Sequence, residues 1–137
     1  MLIILVIYHS FITGLNLSKN INLRHLELTG LDLIVQSFTP TILNDALQSI
    51  TSNSLETLII DLKINQQISN LDRLDWPTLL KIFNEPRFQR LQKLTFAVSN
   101  MVPHARIYLS RKLVKFGGRL DVIAWSMPEG VSQVNAE

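Results

Sequence analysis

Metal chemistry is the first possibility to weigh, because His9, His25 and His104 are the chain's three histidines. A metal site needs such side chains clustered at ligand spacing. None of the three has a second histidine within a helical turn, and neither an H-E-x-x-H pair nor an EF-hand loop occurs. They read as surface or half-buried side chains. Cysteine is absent, which removes thiolate metal sites, disulfides and cysteine nucleophiles together and fits a reducing compartment.

Phosphate binding needs glycine, because backbone amides must approach the ligand without a side chain in the way. The chain has five glycines, and the one adjacent pair, Gly117-Gly118, follows a helix-like segment instead of opening one. No Walker-type or dinucleotide-binding glycine pattern exists, and no G-x-S-x-G elbow marks a serine hydrolase. Asp72 and Asp75 are close enough in sequence to form a carboxylate pair, but a loop carboxylate followed by a helix cap accounts for them more simply. The residues therefore assign no catalytic group, no metal and no cofactor, and the expectation is a non-enzymatic protein.

Charge is the remaining lead. Arg106, Arg111, Lys112, Lys115 and Arg119 form a basic stretch with no acid among them. Such a stretch can meet nucleic acid or anionic lipid. These residues interleave with apolar ones, however, and cations also complement a helix C-terminus, so the stretch reads as a solvated outer face. The whole chain carries 13 Lys and Arg against 11 Asp and Glu, a net charge of +2. That balance lacks the basic excess of a nucleic-acid binder. Asn16-Leu17-Ser18 matches a glycosylation sequon, which has meaning only in a secreted protein.

The elements that would carry any function are clearer. At 137 residues, 47% hydrophobic and 18% charged, the chain is too apolar for disorder and long enough to bury a core as one domain. Its strongest pattern is an apolar hexad with leucine-type residues at the first, fourth and sixth places. Leu23, Leu26 and Leu28 form one copy, Leu55, Leu58 and Ile60 the next, and Leu91, Leu94 and Phe96 a third; their starts are 32 and 36 residues apart. Looser copies lie at Leu2, Leu5 and Ile7 and at Leu120 and Val122. Periods of this size signal stacked repeats.

Alternation within each hexad predicts strands with one buried face. Leu26 and Leu28, then Leu58, Ile60 and Leu62, then Leu94, Phe96 and Val98 should face inward. The Leu2–Ile7 run reads as a buried strand, with a gene-model or truncation edge and a membrane signal as its alternatives; its polar interruptions and lack of a preceding cation disfavour the last. Between strands the period changes to 3.6. Leu43, Ala46, Leu47 and Ile50 form one helical stripe, entered through Thr39-Pro40. Trp76, Leu79, Leu80 and Phe83 form a second, capped by Asp75 and stopped by Pro86. A third helix is predicted from about Pro103 to Phe116, burying Leu109, Leu113 and Phe116, with Gly117-Gly118 as its exit. Strands alternating with helices imply parallel pairing through crossovers. Residues 1–126 read as one irregular repeat domain and 127–137 as a frayed tail.

The hexads resemble the strand segment of leucine-rich repeats, in which Leu-x-x-Leu-x-Leu strands build a parallel sheet. The asparagine of the standard repeat is replaced by Leu31, Lys63 and Ser99, and the units exceed the common length. Long irregular units of this kind look like the C-terminal regions of fungal F-box proteins. The phrases Asn22-Leu23-Arg24-His25-Leu26, Ser54-Leu55-Glu56-Thr57-Leu58 and Leu74-Asp75-Trp76 with Phe88 and Leu91 carry that likeness. It implies an α/β fold, a short leucine-rich-repeat-like solenoid with each parallel strand backed by a helix. It also implies that the sheet binds a protein, while a separate F-box, whose helices are not found here, recruits a ubiquitin-ligase adaptor.

On this reading the outward strand positions form the partner surface: His25, Glu27, Thr29, Thr57, Ile59, Asp61, Lys93, Thr95, Asp121 and Ile123, with Ala97 on the same face. The partner would be a protein, with neither nucleic acid nor membrane involved, in the cytoplasm or nucleus. Two other readings stand beside it. One is a compact α/β enzyme or ligand-binding domain with a pocket at the carboxyl ends of its strands; the other is a truncated gene product.

Overall fold

The computed structural model describes residues 4–8, 12 and 14–124. The tail expected at 127–137, along with Leu2 and His9, lies outside the described residues.

The second half of each apolar hexad lies in a strand. The strands are β1 (Ile4–Tyr8), β2 (His25–Asp32), β3 (Thr57–Lys63), β4 (Lys93–Val98) and β5 (Leu120–Ala124). They form one five-stranded sheet in sequence order, and every neighbouring pair is parallel. The register superposes the repeats. Leu5, Leu26, Leu58, Leu94 and Leu120 make one row across the sheet, and Ile7, Leu28, Ile60, Phe96 and Val122 make the next.

Parallel neighbours cannot be joined by a tight hairpin, so the chain must cross over between them. Helices α1 (Ile42–Gln48), α2 (Trp76–Phe83) and α3 (Val102–Lys112) lie in three of these crossovers, with 3-10 turns at Ile68–Arg73, Pro86–Phe88 and Val114–Arg119. Leu43 and Leu47, Leu79 and Phe83, and Ala105 and Leu109 join Leu26, Leu58 and Leu94 in a single buried cluster. No outward-facing strand residue belongs to that cluster. The protein is thus α/β, with its core between the inner face of the sheet and the crossovers. No described helix is long and apolar enough to cross a membrane.

Local differences from the sequence reading have physical causes. The α1 N-cap is Thr41, not Thr39, and it makes no side-chain capping bond. Asp75 does cap α2, accepting from the Thr78 N–H, and its second oxygen accepts from Asn44 of α1. The third helix stops at Lys112 because Leu113 leaves helical geometry; the chain continues as a 3-10 turn in which Gly117 has φ 52°. Leu109, Leu113 and Phe116 are nonetheless buried. β1 is an edge strand whose outward side chains Ile4, Val6 and Tyr8 are exposed, so it is half-buried, not fully buried. In β2 the chain carries a bulge: two residues, Thr29 and Gly30, stand opposite the single Asp61, with Gly30 at φ 78°. The extra residue shifts the alternation, turning Leu31 and Leu33 inward.

Hydrogen bonds across neighbouring units recur at the repeat spacing. The Arg24 carbonyl accepts from the N–H groups of Glu56 and Thr57, at 2.8 and 3.1 Å. One unit later the Glu56 carbonyl accepts from Gln92 and Lys93 at the same two distances. Ser99 donates to the Ile64 carbonyl and accepts from the Ile64 N–H. Long cations reach back in the same way. Arg87 donates to the carbonyls of Gln48 and Ile50 at the end of α1, and Lys115 donates to that of Phe83 at the end of α2.

Candidate functional site

The face of the sheet turned away from the crossovers is open, and the register arranges its side chains in three rows. Ile4, His25, Thr57 and Lys93 make the first; Val6, Glu27, Ile59, Thr95 and Asp121 the second. In the third, Tyr8 pairs with Thr29 across β1 and β2, and Asp61, Ala97 and Ile123 continue it beyond the bulge. All the outward positions read from the sequence therefore share one surface. Their exposure differs. Ile123 is 43% exposed, whereas Thr95, Ala97 and Asp61 are only 5%, 3% and 8% exposed. These three stand at outward positions yet are buried. A single strand's pattern carries no information about such burial.

Polar groups on the face are mostly paired. His25 Nε2 lies 2.9 Å from Glu27 Oε1, Lys93 Nζ 3.6 Å from Asp121 Oδ2, and Lys63 Nζ 3.9 Å from Asp32 Oδ2. Asp61 is the exception, with no hydrogen bond or ion pair to its carboxylate among the described residues. Burial, followed by the nearby negative charge of Glu27, raises its pKa from 3.8 to about 6. The folded state therefore keeps a proton through roughly pH 4 to 6 that the unfolded chain has released, so stability falls as pH rises through that window. Asp61→Asn is expected to flatten this slope and to stabilise the fold at pH 7.5 by about 1 kcal/mol, a figure reduced because the Glu27 charge that adds to the shift is partly exposed and screened. Urea unfolding of both proteins at pH 4.5 and 7.5 measures it. Equal slopes would remove Asp61 as the group responsible.

The basic stretch proves to be largely structural. Arg106 donates to the Val122 carbonyl, Lys115 to the Phe83 carbonyl and Arg119 to the Leu91 carbonyl. Burial and the adjacent Arg119 lower the Lys115 pKa. Arg111 and Lys112 remain on the surface of α3 beside a cavity of about 410 Å³ lined by Ile68, His104, Ile107, Tyr108, Arg111 and Lys112. The Tyr108 hydroxyl donates to Asp72, and burial together with that carboxylate raises the phenol's pKa. Asp72 and Asp75 thus have separate structural partners. This cavity was not legible in the sequence, since it joins α3 to a turn more than thirty residues earlier. Its lining includes no strand residue.

Among the described residues, no group of three or more His, Cys, Asp or Glu side chains is placed to hold a metal ion. Comparison with protein-family models, with curated proteins and with solved structures gives no match.

Proposed function

We propose that the chain is a non-catalytic protein-interaction module. It would be a short leucine-rich-repeat-like solenoid that docks a partner on its open sheet face, in the manner of the substrate-recognition repeats of F-box ubiquitin-ligase adaptors. The observation that carries this reading is the division of the sheet. Every described crossover packs on the inner face, and the outer face presents aligned rows of mixed apolar and charged side chains. The hydrogen bonds repeated from unit to unit support the solenoid part, because stacked units share one continuous core and pair only with their neighbours. Exposed Ile4, Val6 and Tyr8 are grouped on β1, and a grouped set of exposed apolar side chains favours association; Ile123 is exposed on the opposite edge strand. The partner on this reading is a protein of the cytoplasm or nucleus, and neither nucleic acid nor lipid is required at this face.

The test is quantitative binding once a partner is in hand. Glu27→Lys, Lys93→Glu and Ile123→Asp are each expected to weaken binding about tenfold or more, as central interface positions do, with melting temperatures near that of the unaltered protein. Reversal of charge on the opposite side, as in Arg111→Glu, should leave affinity unchanged. If the three face substitutions have no effect on a partner that binds the unaltered chain, the surface has been placed wrongly.

A further inference from the structure

We propose that the cavity along α3 is a binding site for a single-chain anionic amphiphile, a medium-chain carboxylate, with its tail in the cavity and its head group on Arg111 and Lys112. The site is separate from the sheet face, and its occupancy does not depend on what that face binds. At about 410 Å³ the cavity lies within the span of small-molecule sites, roughly 300–1,000 Å³.

Its lining divides by chemistry. Ile68, Ile107 and the ring of Tyr108 supply apolar walls, and His104, Arg111 and Lys112 supply nitrogen groups, with no carboxylate among the lining residues. The adjoining acid, Asp72, already accepts the Tyr108 hydroxyl, which also fixes that ring as a wall. Lys112 Nζ lies 5.7 Å from the centre of the ring, at the junction between apolar and charged parts. Arg106, Lys115 and Arg119 are committed to backbone carbonyls, whereas neither the Arg111 guanidinium nor the Lys112 ammonium has such an acceptor among the described residues. Ile107 is 55% exposed midway along a helix whose exposed neighbours are mostly polar. An apolar ligand surface would cover it. A guanidinium fork takes a carboxylate bidentately, and an ammonium beside it adds a point charge. A compact polar anion would leave the apolar walls uncovered, and an uncharged hydrocarbon would leave the cations unused.

Calorimetric titration of the intact chain with octanoate, decanoate and dodecanoate, kept below micelle formation, tests the assignment. Dodecan-1-ol and dodecyltrimethylammonium serve as the neutral and cationic comparisons. Affinity is expected to rise about threefold to fourfold per added methylene, the factor for moving that group out of water. The alcohol should bind at least about tenfold more weakly than the carboxylate of equal length, and the cation should not bind, because like charges meet at the rim. Arg111→Glu combined with Lys112→Glu should remove the carboxylate's advantage over the alcohol. Ile107→Asn should weaken both. All three positions are exposed, and a thermal melt of each variant verifies folding. Equal affinity for carboxylate and alcohol, indifference to the substitutions, or no heat with any carboxylate at about 1 mM overturns the proposal.

Discussion

Truncating Phe96 to alanine is expected to destabilise the protein by about 3–5 kcal/mol, the range for a large aromatic removed from a packed core. Phe96 is fully buried at the centre of β4, in the row formed with Ile7, Leu28, Ile60 and Val122. Its ring lies 6.4 Å from that of Trp76 on α2, and Trp76 in turn packs on Tyr108 of α3 at 6.0 Å. The side chain therefore links the sheet to two successive crossovers, and the void left by alanine touches units on both sides. Interiors are close-packed and relax only in part around such a void. Phe96→Leu keeps most of the volume and should cost less, about 1–1.5 kcal/mol. Thr95→Ala, one residue away but on the open face, should cost under about 1 kcal/mol. Urea midpoints of the three variants check this ordering. A Phe96 loss no larger than that of Thr95 would mean that the inner and outer faces have been exchanged.

That contrast between adjacent residues was largely legible in the sequence. Alternation is a local property, so Leu26 and Leu28, Leu58 and Ile60, and Leu94 and Phe96 reveal their common face without knowledge of the fold. Three hexads at similar spacing also implied parallel strands in sequence order, because each intervening segment had helical periodicity. The helix stripes were readable for the same reason, and Asp75 announced its cap by standing just before Trp76-Pro77. What could not be read depends on neighbours distant in sequence. The burial of Asp61, Thr95 and Ala97 at outward positions is a property of the assembled sheet. The β2 bulge becomes visible only when Thr29 and Gly30 are paired against Asp61. The basic stretch from Arg106 to Arg119 suggested a solvated face, yet Lys115 and Arg119 end on carbonyls 32 and 28 residues away. A cation's position on a helix shows which way it leaves, not what it reaches. The α3 cavity was hidden likewise, since Ile68 meets Ile107 and Tyr108 there only through the fold.

The cation contacts lead to the second large effect. Arg87→Met is expected to cost about 2 kcal/mol, within the range for hydrogen bonds that involve a charged group. The guanidinium donates to the Gln48 and Ile50 carbonyls at 2.8 and 2.6 Å and pairs with Glu85 at 2.7 Å. Those carbonyls lie at and just past the C-terminal end of α1, where helix acceptors lack partners and the helix dipole is negative. Methionine preserves the apolar stem over Phe88 but removes both donors and the charge. Arg87→Lys keeps the charge without the fork and should recover about half of the loss. The side chain is mostly buried, at 19% exposure, so water screens this arrangement less than a surface ion pair. Arg73, Lys115 and Arg119 make the same kind of reach from one unit into the one before it. On the proposed solenoid reading, much of the stability resides at such junctions between neighbours. A loss below about 0.5 kcal/mol for Arg87→Met, the range of an ordinary surface substitution, would show that water replaces the guanidinium without penalty. The cohesion between units would then rest on the leucine rows alone.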